Sequence, residues 1–128
     1  MPVDLLLDNE RRVMQTHASG FVTLADFIDS MEKILQLKDQ GNIDDSWTQI
    51  VDLTDVSNEH ELSESDTRII ATNNSWPAGA RRAIVVTEEN TSKLANIYQK
   101  VGQEMGQQIK LFKTIEEAEK WLEGALET

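Results

Sequence analysis

A carboxylate inside an otherwise apolar run, Ile50-Val51-Asp52-Leu53, is the first feature of this sequence with chemical consequences. An ionised group carried into an apolar strand must find donors or bear a large desolvation penalty. Asp52 is expected to accept hydrogen bonds from backbone N–H groups or a nearby hydroxyl and so fix the loop after it. Proton transfer is the alternative, but no neighbouring group in the sequence offers an acid or base partner. Asp55, three residues on, is expected at the surface.

Other reactive patterns are missing from the chain. The two histidines, His17 and His60, are far apart, and neither has a second ligand at the spacing of one helix face, so no metal site is expected. Leu62-Ser63-Glu64-Ser65-Asp66 lacks the glycines of a nucleophile elbow. Gly102-Gln103-Glu104-Met105-Gly106 falls at a helix end and not between a strand and a helix, which removes a phosphate loop. There is no cysteine, hence no disulfide, thiolate site or cysteine nucleophile. No catalytic residue and no cofactor is called for.

The elements that must position these residues emerge from periodicity. Strands are predicted over 3–7 and 12–18 as a hairpin turning near Asp8-Asn9-Glu10, and over 50–53, 83–86 and 109–112. Thr23 with Asp26 reads as a capping box ahead of a helix whose apolar face is Leu24, Phe27, Ile28, Met31, Ile34 and Leu35. Ser63 with Asp66 opens a second helix carrying Ile69 and Ile70. A third, from about Thr91, places Leu94, Ile97, Tyr98, Val101 and Met105 on one face and is ended by Gly106. Thr114 with Glu117 caps a fourth, with Ile115, Ala118, Trp121, Leu122 and Ala125 inward. The order is β-β-α-β-α-β-α-β-α, an α/β domain with parallel crossovers from the third strand onward and an antiparallel first strand at or near an edge.

In such a sheet, ligands favour the carboxyl ends of the parallel strands. The loops after Leu53, Thr87 and Phe112 supply Asp55, Ser57, Asn58, Glu59, His60, Glu88, Glu89, Asn90, Lys113 and Thr114, a polar and mostly acidic set. Phe21, Phe27, Tyr98, Phe112 and Trp121 fall on or beside core faces and read as packing. Trp47 and Trp76 sit in or next to loops, where they either rim a pocket or interface or tuck over the edge of the core. Arg81-Arg82 reads as a solvated pair beside a strand.

The 128 residues suit one domain spanning 1–128, and 39% hydrophobic with 27% charged residues is ordinary for a globular chain. Twelve basic against 23 acidic residues give a net charge of −11, which repels phosphate backbones and anionic headgroups. Nucleic acid is not an expected partner. No stretch is long and apolar enough for a bilayer span or a secretory leader, so a cytoplasmic protein without integral membrane association is expected.

At Ile50-Val51-Asp52-Leu53-Thr54-Asp55-Val56, with a serine-containing helix start after it, the chain resembles the STAS family of anti-sigma-factor antagonist domains, in its SpoIIAA-like branch. Gly20 before Thr23, the strand Arg82-Ala83-Ile84-Val85, and Ala118 with Trp121-Leu122 extend the likeness over nearly the whole chain. The resemblance implies a mixed, mostly parallel sheet of about five strands with four helices. It also implies a phosphoacceptor serine at the start of the helix after the third strand, for which Ser63 and Ser65 are the nearest equivalents. Here the sequence departs from the family's Asp-Ser-Ser-Gly-like motif, and Glu61, Glu64 and Asp66 would repel a phosphate, so simple N-capping by Ser63 is favoured. The branch is similar in layout to CRAL-TRIO-like lipid-binding domains, which implies an apolar pocket between helices and sheet as an alternative.

The leading expectation is a non-enzymatic regulatory or binding domain acting through protein contacts, with Asp52, Asp55, Ser57, Asn58, His60, Ser63 and Ser65 as its interaction or ligand loop, and with a homodimer as one form of partner. The second is a carrier of a small apolar molecule or lipid. An enzyme using Asp52 and its loop is third.

Overall fold

The computed structural model describes residues 3–57, 63–73, 76–87 and 93–124, the side chains of residues 93 and 94 excepted. The side chain of the predicted face residue Leu94 lies outside that set, as do Ala125 and the loop residues at 58–62 and 88–92. The elements run β1 (Val3–Asp8), β2 (Val13–Gly20), α1 (Leu24–Asp39), β3 (Thr48–Val56), α2 (Glu64–Thr72), β4 (Arg81–Val85), α3 (Lys93–Glu104), β5 (Gln108–Phe112) and α4 (Ile115–Gly124). The order matches the alternation read from the sequence. The third strand is longer than its apolar kernel at 50–53, because it pairs with a neighbour on each side.

The helix starts are set by their caps. Thr23 Oγ1 accepts from Asp26 N (3.2 Å), and the Asp26 carboxylate accepts from Thr23 N (2.9 Å), closing the capping box. Ser63 Oγ accepts from Asp66 N (3.0 Å), and Thr114 Oγ1 from Glu117 N (3.2 Å). Helix α3 stops where Gly106, at φ +83°, lets Gly106 N reach Gln103 O and Gln107 N reach Gly102 O, a Schellman closure.

The strand order is β1-β2-β3-β4-β5, with β1 antiparallel to β2 and every later pair parallel. The antiparallel first strand at the edge and the mostly parallel sheet are as the sequence suggested. Right-handed crossovers between sequential neighbours put α1, α2 and α3 on one face of the sheet and leave the other for α4. The core divides accordingly. Phe27 and Ile70 pack with Val51, Leu53 and Ile84 on the first face, and Ala118 and Leu122 pack with Ile50, Ala83 and Val85 on the second. A third cluster at the amino end of the sheet holds Met14, Ile34, Ile43, Trp47 and Trp76. Both loop tryptophans are thus buried over the core edge.

Three apolar side chains depart from the predicted faces. Phe21 is 62% exposed: Gly20, at φ +69°, turns the chain outward, and Val22 occupies the buried position instead. Leu35 and Ile69 are also exposed, because Ser30 on α1 and Thr67 and Ala71 on α2 take inner positions. The buried hydroxyls are satisfied locally, Ser30 Oγ donating to Phe27 O and Thr67 Oγ1 to Ser63 O.

Candidate functional site

Asp52 is the fifth of the nine residues of β3, opposite His17 of β2. Its side chain is almost wholly buried and its oxygens divide two tasks. Oδ1 accepts from Thr54 N (3.0 Å) and Thr54 Oγ1 (2.6 Å); Oδ2 lies 3.0 Å from His17 Nδ1. The donors are of the expected kinds, a backbone N–H and a hydroxyl, but Thr54 lies within β3, so these bonds hold the strand and not the loop after it. The histidine is what sequence reading missed, since the partner expected to be lacking lies 35 residues earlier in the chain and is brought over by parallel pairing.

His17 Nε2 in turn lies 3.3 Å from Asp55 Oδ2, so one imidazole bridges two carboxylates of one strand. Residues three apart on a regular strand point to opposite faces. Between the pairs His17–Asp52 and Ser19–Asp55 the register shifts, and this irregularity lets both carboxylates reach one ring. Asp52 grips the backbone at Thr54, inside the shifted segment. Each ring nitrogen of His17 thus faces a carboxylate oxygen, Nδ1 that of Asp52 and Nε2 that of Asp55.

Of the other candidate residues, Ser57 directly follows β3, and Ser63 and Ser65 lie at the start of α2. Ser57 is exposed, and its N–H donates to Gly20 O (2.9 Å), which ties the ends of β2 and β3 together beside Phe21. Ser63 and Ser65 are exposed in the opening of α2, where the Ser63 hydroxyl is engaged as the cap. Asn58 and His60 lie outside the described residues. Among the described residues no group of three or more His, Asp and Glu side chains is arranged to hold a metal ion. No helix among them is long and apolar enough to cross a membrane.

A second polar constellation occupies the opposite face of the sheet. Arg82, expected as half of a solvated pair, is 1% exposed, whereas Arg81 is partly exposed. Strand alternation explains the difference: Arg82 and Ile84 share the face covered by α1 to α3. Arg82 Nε donates to Gln49 Oε1 (2.8 Å), one terminal nitrogen to Gln107 Oε1 (3.0 Å), and the other to the Tyr98 hydroxyl, over whose ring the guanidinium also stacks at 5.0 Å. Gln49 Nε2 then donates to Thr16 Oγ1, and Gln107 Nε2 to Trp76 O. Beside this network a cavity of about 40 Å³ lies between the sheet and the helices, lined mainly by apolar side chains including Phe27, Ile34 and Ile70.

No family model matches the chain, and no curated protein matches it. Among solved structures it is similar to an uncharacterized protein of the DUF3478 family with a SpoIIAA-like fold from Shewanella loihica. The two are 16% identical with a TM-score of 0.59, over 94% of this chain and 91% of that one. The fold of this chain is therefore SpoIIAA-like, as the resemblance in the sequence implied.

Proposed function

We propose that this chain is a non-enzymatic binding domain that works through protein contacts at the carboxyl ends of β2 and β3. The observation that carries this reading is Phe21, a ring left 62% exposed at the corner where Ser57 closes onto Gly20. An outward-facing aromatic with a charged surround is the composition of an interface anchor. The charged groups of this part of the chain are acidic, with Asp55 exposed on β3 and Glu64 and Asp66 in the first turn of α2, the helix that follows β3. A partner segment that pairs an apolar side chain with Lys or Arg fits this surface. A second copy of the chain fits less well, because a homodimer through this corner would oppose two acidic rims.

The ring of His17 supports a binding role over an enzymatic one. Both nitrogens face carboxylates of its own chain, which holds the imidazole in place and leaves neither nitrogen directed at an outside group. Ser63 is read as a cap; Ser65 is the more available hydroxyl for a phosphoacceptor role. Capture of partners from an extract of the source cell by the wild type and by Phe21→Ser tests the reading, with affinity then measured for the purified partner. The affinity should fall by about tenfold or more in the variant, as for an anchor residue. Equal affinity would remove Phe21 from the interface.

A second reading, a carrier of a small molecule, is favoured by one specific observation: the largely apolar cavity beneath α1 to α3 with a few polar groups on its wall.

A further inference from the structure

The wall of the cavity beneath α1 to α3 carries a buried, permanently charged group, Arg82, and its chemistry selects a class of ligand for the carrier reading. The acceptors of Arg82 are two amide oxygens and a phenol, all neutral. Among the described residues no carboxylate lies within ion-pair distance of it. A guanidinium carries five N–H groups, and three are used in these bonds, which leaves one on each terminal nitrogen. A buried cation held only by dipoles gains most from a counter-anion, since attraction strengthens where water is excluded.

We infer, resting on the carrier reading, that the cavity binds a short-chain carboxylic acid as its anion, with the carboxylate against Arg82 and the hydrocarbon part among Phe27, Ile34 and Ile70. The single charge matches a single buried cation. A phosphate would bring more charge and more acceptor oxygens than the wall can meet, as Arg82 is the one cationic residue lining the cavity among the described residues. The size is set by the volume: about 40 Å³ is room for about three or four water-sized groups, at roughly 10–15 Å³ each, which suits acetate, its methyl group serving as the hydrocarbon part. Thr16, Gln49 and Tyr98 contribute further polar groups to the wall, and Gln49 and Tyr98 hold the guanidinium in place.

Titration of the isotopically labelled full chain with acetate and, separately, with neutral acetamide at constant ionic strength tests this by NMR. Acetate should bind saturably, with a dissociation constant on the order of 1 mM for so few atoms. The shifts should centre on Arg82, Ile84 and Tyr98, and acetamide should bind about tenfold or more weakly. Arg82→Lys should retain the preference for the anion and Arg82→Gln should lose it. The wild-type comparison needs no variant, so a misfolded Arg82→Gln leaves the inference open to refutation. Equal affinity for the two probes would overturn the anion assignment while leaving the carrier reading in place. Binding of neither, or shifts confined to the surface, would overturn both.

Discussion

At His17 one imidazole ties two carboxylates of β3 to β2, and the arrangement is held by a buried Asp52 that also grips Thr54. His17→Ala should destabilise the fold by about 1–3 kcal/mol, because it removes a charge-assisted partner from a buried carboxylate. Asp52→Asn should cost a comparable amount. Urea denaturation of both and of the double variant should show coupling of at least about 0.5 kcal/mol; strictly additive effects would mean the two side chains do not act together. Asp44 offers a separate check at the same scale. The Ser46 hydroxyl, then the Ser46 N–H, hold its carboxyl below the ordinary range, with Arg12 nearby contributing further. A depressed carboxyl favours the folded state above its ordinary titration range, and that contribution is lost as pH falls through the lowered value. Ser46→Ala should bring the Asp44 titration, monitored by NMR, back up toward an ordinary aspartate; an unchanged midpoint would assign the shift elsewhere.

The elements are where sequence reading carried furthest, and their caps show why. Thr23, Ser63 and Thr114 each sit three residues before a carboxylate residue whose N–H they accept, a signal wholly local in the chain. Ser63→Ala should cost about 1 kcal/mol in thermal or chemical unfolding; no change would deny the cap. Gly102 carries a less visible constraint. A Cβ placed there would lie 2.0 Å from Ile109 Cδ1, a side chain buried on β5, so glycine lets α3 approach the sheet. Gly102→Ala should destabilise by about 1–3 kcal/mol despite alanine's better helix propensity, and adding Ile109→Val should recover part of the loss. What was not legible is what depends on pairing between distant strands. His17 reaches Asp52 across 35 residues, and Arg82 enters the core only because its strand presents that face to α1, α2 and α3. Phe21 was misplaced for a third reason: Gly20 reverses the direction of a side chain that composition alone assigns to the core.

At the scale of the molecule, the sheet divides two polar constellations between its faces: the His17–Asp52 link on the side of α4 and the Arg82 network beneath α1, α2 and α3. The SpoIIAA-like architecture accounts for the common frame, and the residues on it decide what the frame is used for. The net charge of −11 gives the proposed contact a signature, since affinity for a basic partner should weaken as salt is raised, while contact through Phe21 alone would be indifferent to it. The corner at Phe21 is the central claim, and a photo-crosslinking side chain placed there tests it most directly against the same group at Asn42, on the loop between α1 and β3. In extract, position 21 should give a discrete adduct with one basic partner that excess unlabelled wild type abolishes and excess Phe21→Ser does not, with none at position 42. Equal adducts at both positions, or equal competition by the variant, would contradict it.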